Sequence, residues 1–196
     1  MEKSIVLIFN CPPSSGKDTL FKYLYEEFYT KHGITINHRE FKSKLIDIAL
    51  TCSSIDKPTW DEYYQSNKDT PWSRLNGLSP RQLLMRISEE WIKPTFGLDY
   101  FGRVLSNEVK ERGIYIVTDG GFTEEIQPIL NLPNIDLFIC QWKRINTNTN
   151  EPYNFNSDSR NYIYNYPTIN LPTNTNLDNW LSDCYNQLEP IILRYK

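Results

Sequence analysis

The sequence has no cysteines spaced to grip a metal or frame a small fold: Cys11, Cys52, Cys140 and Cys184 lie far apart, with no C-x-x-C pair. That spacing excludes a zinc ribbon and a disulfide scaffold, and leaves reduced thiols of the kind found in cytosolic proteins. An apolar run approaching the roughly 18 residues of a membrane span is missing, and the N-terminus lacks the apolar region and cleavage site of a signal peptide. Neither a membrane-spanning nor a secreted protein is expected. Positive charge is not in excess either. A net charge of −3 argues against a surface that grips nucleic acid throughout, although a local basic groove is compatible with it. What remains is a chain of 196 residues, 39% hydrophobic and 14% aromatic, long enough for one well-cored domain with an inserted subregion.

The most informative stretch is residues 5–19. Five consecutive apolar residues, Ile5 to Phe9, stop in the small-residue loop Asn10-Cys11-Pro12-Pro13-Ser14-Ser15-Gly16-Lys17-Asp18-Thr19, and Leu20, Phe21, Leu24, Tyr25 and Phe28 follow at helical spacing. Strand, tight loop and helix form the setting of a phosphate-binding loop. The helix start leaves backbone N–H groups free to hold phosphate, around Pro13, Ser14, Ser15 and Gly16, and Lys17 neutralises the outer phosphates. Against G-x-x-x-x-G-K-[ST] the loop departs twice. Cys11 replaces the first Gly, and Asp18 replaces the hydroxyl residue that faces Mg²⁺, so a metal would be met by Asp18, by Thr19 or through water.

Further along, residues 34–38 alternate as a strand, which completes a β-α-β unit and makes a parallel sheet the default. Phe41, Lys42 and Lys44 open a helix reaching about residue 50. Residues 53–78 mix turn signals with Trp60, Tyr63, Tyr64 and Trp72, and read either as a mobile cover over a cleft or as a small packed cluster. Ser79-Pro80-Arg81-Gln82 is a capping box with Pro at the first helical position; it opens a helix with Leu83, Leu84, Ile87 and Trp91 on one face and Arg81, Arg86, Glu89 and Lys93 on the other. Asp99 starts the next helix, whose Phe101, Val104, Leu105 and Val109 face inward. A buried strand over 114–118 ends in Asp119-Gly120-Gly121-Phe122, and a carboxylate there belongs with Mg²⁺. Glu124 and Glu125 read as first-turn acids of a helix beginning at Thr123. Residues 135–142 form a fourth strand. The Asn-rich stretch that follows carries Lys143, Arg144 and Arg160 and returns to a short strand at 168–171, the layout of a lid that brings cations over a phosphoryl group. A last helix buries Leu177, Trp180, Leu181, Cys184, Leu188 and Ile192.

Ser15 to Thr19, Ser79-Pro80-Arg81-Gln82-Leu83, Ser88-Glu89, Lys93-Pro94-x-Phe96-Gly97-x-Asp99-Tyr100-Phe101-Gly102, residues 117–125, and Phe155-x-x-Asp158-Ser159-Arg160-x-Tyr162 together resemble the deoxynucleoside monophosphate kinases of tailed bacteriophages. The resemblance covers most of the chain. It implies a three-layer α/β P-loop NTPase fold in a single domain over 1–196, with a five-stranded parallel sheet, a helical acceptor-binding insert over 40–98 and a lid over 143–166. It implies ATP as donor, Mg²⁺ as cofactor and a deoxynucleotide as acceptor. Lys17, Asp119, Arg144 and Arg160 would then be catalytic, and Asp18, Thr19 and Asp119 would serve the metal. Phe41, Lys42, Arg81, Arg86, Glu89, Lys93 and Asp99 would serve the acceptor, and by fold analogy Thr173 and Asn174 would meet adenine.

Two rivals stand beside this reading. A kinase of the same fold acting on a hydroxymethyl pyrimidine in phage DNA would need a groove for a strand and a carboxylate base. A nucleotide-binding regulator without catalysis is suggested by Cys11 and Asp18, and opposed by Lys17 and Asp119. Under the first reading the partner is a small nucleotide and the location is the cytoplasm, of the infected host if the chain is of phage origin. The base and the oligomeric state stay open, a homodimer included.

Overall fold

The computed structural model describes residues 3–146, 148–155, 160–173 and 176–196. Its chain order is β1 (Ser4–Phe9), α1 (Lys17–His32), β2 (Ile36–Arg39), α2 (Lys42–Ser53), α3 (Lys57–Asn67), a 3₁₀ turn (Ser73–Leu75) and α4 (Pro80–Met85). A π-helical segment (Arg86–Ile92) runs into α5 (Lys93–Phe96), followed by α6 (Tyr100–Glu108), β3 (Ile114–Val117), α7 (Gln127–Leu130), β4 (Ile135–Gln141), β5 (Thr168–Asn170) and α8 (Leu177–Ile192).

All strand pairs are parallel, in the order β2-β3-β1-β4-β5. β1 is central and buried along its whole length, which is why it reads as an unbroken apolar run. Its period of two divides the interior. Ile5, Leu7 and Phe9 face Leu20, Leu24 and Phe28 of α1 and Trp180, Cys184 and Leu188 of α8. Val6 and Ile8 face the other core, built on Ile46, Trp60, Leu84, Phe101, Leu105 and Ile126. Each fully buried aliphatic side chain contributes about 1.5–3 kcal/mol, so the two cores hold the three layers together. This sheet order, with a loop leading from the central first strand into α1, is that of the P-loop NTPase fold. Among the described residues no helix is long and apolar enough to cross a membrane.

Several helix boundaries differ from expectation for identifiable reasons. Trp60, Tyr63, Tyr64 and Trp72 are packed: Tyr63 stacks on Trp72 with centroids 4.1 Å apart, and Trp60 is fully buried. They form part of the second core. The helix opened by Ser79 keeps its capping box, but its π segment inserts an extra residue per turn and rotates the inward face. Ile92 and Lys93 turn inward, and Trp91, expected inside, is 48% exposed. The helix expected from Thr123 begins at Gln127 instead, because Pro128 is tolerated only in a helix's first turn. That delay leaves Glu125 in a turn, free to point inward. Residues 160–163 of the segment read as a lid lie against the strand ends: Asn161 N–H donates to Gly121 O at 3.1 Å and Ile163 N–H to Asn10 Oδ1 at 2.7 Å.

Candidate active site

The loop from β1 to α1 is shaped by two left-handed residues, Ser14 (φ 61°) and Gly16 (φ 89°), which turn the chain sharply into the helix. Ser15 Oγ donates to Pro12 O at 2.8 Å, and Trp142 Nε1 donates to Ser15 O at 2.9 Å. Cys11, in place of the first Gly, is buried in the core beside β4, where its Sγ accepts from Trp142 N at 3.2 Å. Burial pushes this thiol up to about 12, so it acts as an apolar anchor and not as a nucleophile. The loop is therefore tied at both ends to the residue that follows β4.

Lys17 bends back over the loop, its Nζ 2.7 Å from both Cys11 O and Pro12 O. Burial lowers the ammonium to about 8, and the charge of Arg160 acts in the same direction. Arg144 Nη1 stands 3.1 Å from where a Cβ on Gly16 would be, which brings a second cation over the helix start. Arg160 crosses Gly121, where a Cβ would lie 2.5 Å from Arg160 Cγ; the missing side chain gives the arginine its path.

Beside the loop, carboxylate oxygens of Asp18 and Glu40 and a ring nitrogen of His38 lie within 4.8 Å of one another. His38 Nε2 also meets Thr118 Oγ1 at 2.9 Å. The two carboxylates of this set fit a hard divalent cation such as Mg²⁺. Asp119, expected at the metal, is buried at the end of β3 with one oxygen accepting from Phe41 N and the other from Lys42 N, both at 2.9 Å. It holds the start of α2 in place. Burial raises its carboxyl, opposed by Lys42 and the two N–H donors.

The main cleft opens from this point. Phe41, Lys42, Arg81, Glu89, Asp119 and Arg160, all expected at the site, line it. Burial alone would lower the Lys42 ammonium, but Asp119 and Glu40 outweigh burial and raise it, which keeps the cation charged. Arg81 also pairs with Asp69 at 2.5 Å. Lys93 sits just behind the wall, 5% exposed, with Nζ 2.8 Å from Glu89 Oε1 and 3.6 Å from the centroid of the Phe122 ring. Two expected acceptor residues are not brought to the cleft. Arg86 is exposed on the π segment, outside the lining. Asp99 pairs with Arg103 on the outer face of α6.

A second cavity lies at the carboxyl ends of β4 and β5, walled by Trp142, Lys143, Tyr162, Tyr164 and Thr173. Asn174 and Asp158 fall outside the described residues. Four functional candidates escaped the sequence reading. Asn10, fully buried, donates to Gly120 O and Asn161 O and accepts from Gln141 Nε2 and Ile163 N, joining the ends of β1, β3 and β4 to residues 161–163. His38 and Glu40 look like ordinary strand-end residues until Asp18 is placed beside them. Glu125, read as a first-turn acid of a helix, lines the cleft at 3% exposure. Pro128 three residues later was the available signal.

No protein-family model matches this chain, and no curated protein matches it. Among solved structures, the hexameric APS kinase from Thiobacillus denitrificans is similar to it with a TM-score of 0.43 and 14% identity, covering 97% of this chain. The chain spans 29% of the length of that protein.

Proposed function

We propose that the protein transfers the γ-phosphoryl group of ATP to a deoxynucleoside monophosphate, giving the diphosphate. The observation that carries this reading is Arg160: it lines the main cleft and acts electrostatically on Lys17, so one guanidinium serves both a phosphate loop and an acceptor cleft. The loop N–H groups and Lys17 hold the donor's β- and γ-phosphates, and the cavity walled by Trp142, Tyr162 and Thr173 receives its base. Lys42, Arg81 and Arg160 hold the acceptor phosphate facing them. An oxygen of that phosphate bonds to the γ-phosphorus while the bond from that phosphorus to the bridging oxygen breaks, and ADP leaves. Because the nucleophile is already an anion, no general base is needed, and catalysis is positioning and charge neutralisation. Asp18, with Glu40, His38 and the expected Thr19, would hold Mg²⁺, which would supply further neutralisation of the donor phosphates.

A hydroxyl acceptor would require a carboxylate base; of the acids lining the cleft, Asp119 has both oxygens committed to α2, Glu89 is held by Ser88 and Lys93, and burial raises the Glu125 carboxyl to about 8, which keeps it protonated at neutral pH. The test is product analysis: radiolabelled ATP with each deoxynucleoside monophosphate, beside DNA carrying hydroxymethyluracil. Labelled diphosphate is the expected product. Label in DNA alone would transfer the reading to the base-hydroxyl kinase, and ATP binding without transfer to any acceptor would leave a nucleotide-binding regulator.

A further inference from the structure

Glu125 has no part in the transfer just described, yet it is the more deeply buried of the cleft's two buried carboxyls, 3% exposed against 8% for Asp119. Its place is fixed from behind: a Cβ on Gly102 of α6 would stand 2.1 Å from Glu125 O, so helix and turn are in backbone contact. Among the described residues its carboxyl makes no hydrogen bond and no ion pair, whereas its neighbour Glu89 is engaged by Ser88 and Lys93. A cleft-facing carboxyl without a protein partner is met by water or by a ligand that brings its own donors and acceptors.

The rest of the cleft says which ligand. Phe41, Tyr64, Phe101 and Phe122 supply flat apolar walls, and Lys42, Arg81 and Arg160 gather the positive charge. A phosphate goes to the cations. A planar, aromatic group goes between the rings, with its polar edge toward the acid. A neutral carboxyl offers one O–H donor beside one acceptor oxygen, and its complement is an edge with an acceptor next to a donor. Nucleobases carry such edges.

We propose that Glu125 reads the nucleobase of the acceptor, its carboxyl pairing with the hydrogen-bonding edge of the base while the acceptor phosphate lies on Lys42, Arg81 and Arg160. This rests on the reading that the cleft takes a nucleoside monophosphate. The protonation state of the carboxyl then sets which base is favoured. Burial raises it to about 8, with Lys93 pulling it down and Asp119, Glu89 and Glu124 pushing it up; Lys42, Arg81 and Arg160 face the same cleft from α2, α4 and the segment after β4. While neutral, the carboxyl pairs with the ring nitrogen and amino group of cytosine or adenine, or with the carbonyl and N–H of thymine. Once ionised it only accepts, and guanine alone offers two adjacent donors, N1–H and the 2-amino group.

The experiment is calorimetric binding of the four deoxynucleoside monophosphates, without ATP, at about pH 7 and about pH 9, to the full chain and to Glu125→Gln and Glu125→Leu. For the wild type, affinity for dCMP, dAMP and dTMP should fall at least fivefold between the two pH values while dGMP falls less. Glu125→Gln, neutral and isosteric, should bind within about threefold of wild type at pH 7 and lose the pH dependence that separates the bases. Glu125→Leu should weaken the preferred base about tenfold. Unchanged binding in Glu125→Leu, or the same base-dependent pH response in Glu125→Gln, would overturn the assignment while leaving the kinase reading intact. A folded wild type that binds none of the four at either pH would overturn both.

Discussion

Cys11 and Glu125 show how far a residue's meaning depends on what surrounds it. Cys11 breaks the phosphate-loop pattern in sequence, yet in the fold its side chain belongs to the core and fastens the loop to Trp142. Restoring the pattern with Cys11→Gly should therefore destabilise the protein by about 2 kcal/mol, from lost burial and added backbone freedom, with no gain in ATP affinity. Urea midpoints and nucleotide titration check the two halves of that expectation. Glu125 gives a pH signature with a definite sign. Its folded value of about 8 lies above that of an exposed glutamate, so the folded state keeps a proton that the unfolded chain gives up. Stability is full below the unfolded value near 4.5 and is lost as pH rises toward 8, by up to about 1.4 kcal/mol per pH unit. Glu125→Gln should leave the melting temperature nearly unchanged at about pH 4 and raise it by several degrees at about pH 8. Lys17, Lys42, Arg81 and Arg160 were legible as candidates because cations flanking a Gly-Lys loop have a chemical reason to be there. Glu125 was not, because the pattern showed it as a first-turn acid and its burial depends on where α7 begins.

At the scale of elements, the segment 80–96 is the instructive case. Its start was readable, since a Ser-Pro-x-Gln capping box satisfies the first N–H groups wherever the helix lies. Its inner face was not, because periodicity arguments assume 3.6 residues per turn and a π segment breaks that count. Ile92→Ala should accordingly cost about 2–4 kcal/mol and Trp91→Ala less than about 0.5, although the regular pattern would rank them the other way. Equilibrium unfolding of the two variants decides it. The same shift brings Lys93 inward to hold Glu89 and cover Phe122, which shapes the cleft wall. The aromatic stretch 53–78 was open in sequence between a cover and a packed cluster; the stacking of Tyr63 on Trp72 and the burial of Trp60 show its aromatics packed.

For the whole molecule, the parallel sheet was legible because β1 carries an unbroken apolar run and β2, β3 and β4 each follow a helix. The order β2-β3-β1-β4-β5 places the ends of β1 and β3, and with them the Lys17 loop and Asp119, at one edge of the cleft. What the chain could not display was the tertiary convergence on that edge: His38 and Glu40 beside Asp18, Arg160 across Gly121, and Asn10 joining three strand ends to residues 161–163. Those contacts link residues tens of positions apart or more, 151 for Asn10 and Asn161, beyond the reach of any local pattern. The proposed function requires that the Lys17 loop and the cleft lined by Arg160 form a single phosphoryl-transfer site. The most direct measurement is ADP release from ATP and Mg²⁺ with the four deoxynucleoside monophosphates, comparing wild type with Lys17→Ala at matched folded concentration. Acceptor-dependent turnover that falls at least a hundredfold in the variant, with its melting temperature little changed, is the expected result. Turnover that survives in Lys17→Ala, or a wild type that releases no ADP with any monophosphate, would contradict it.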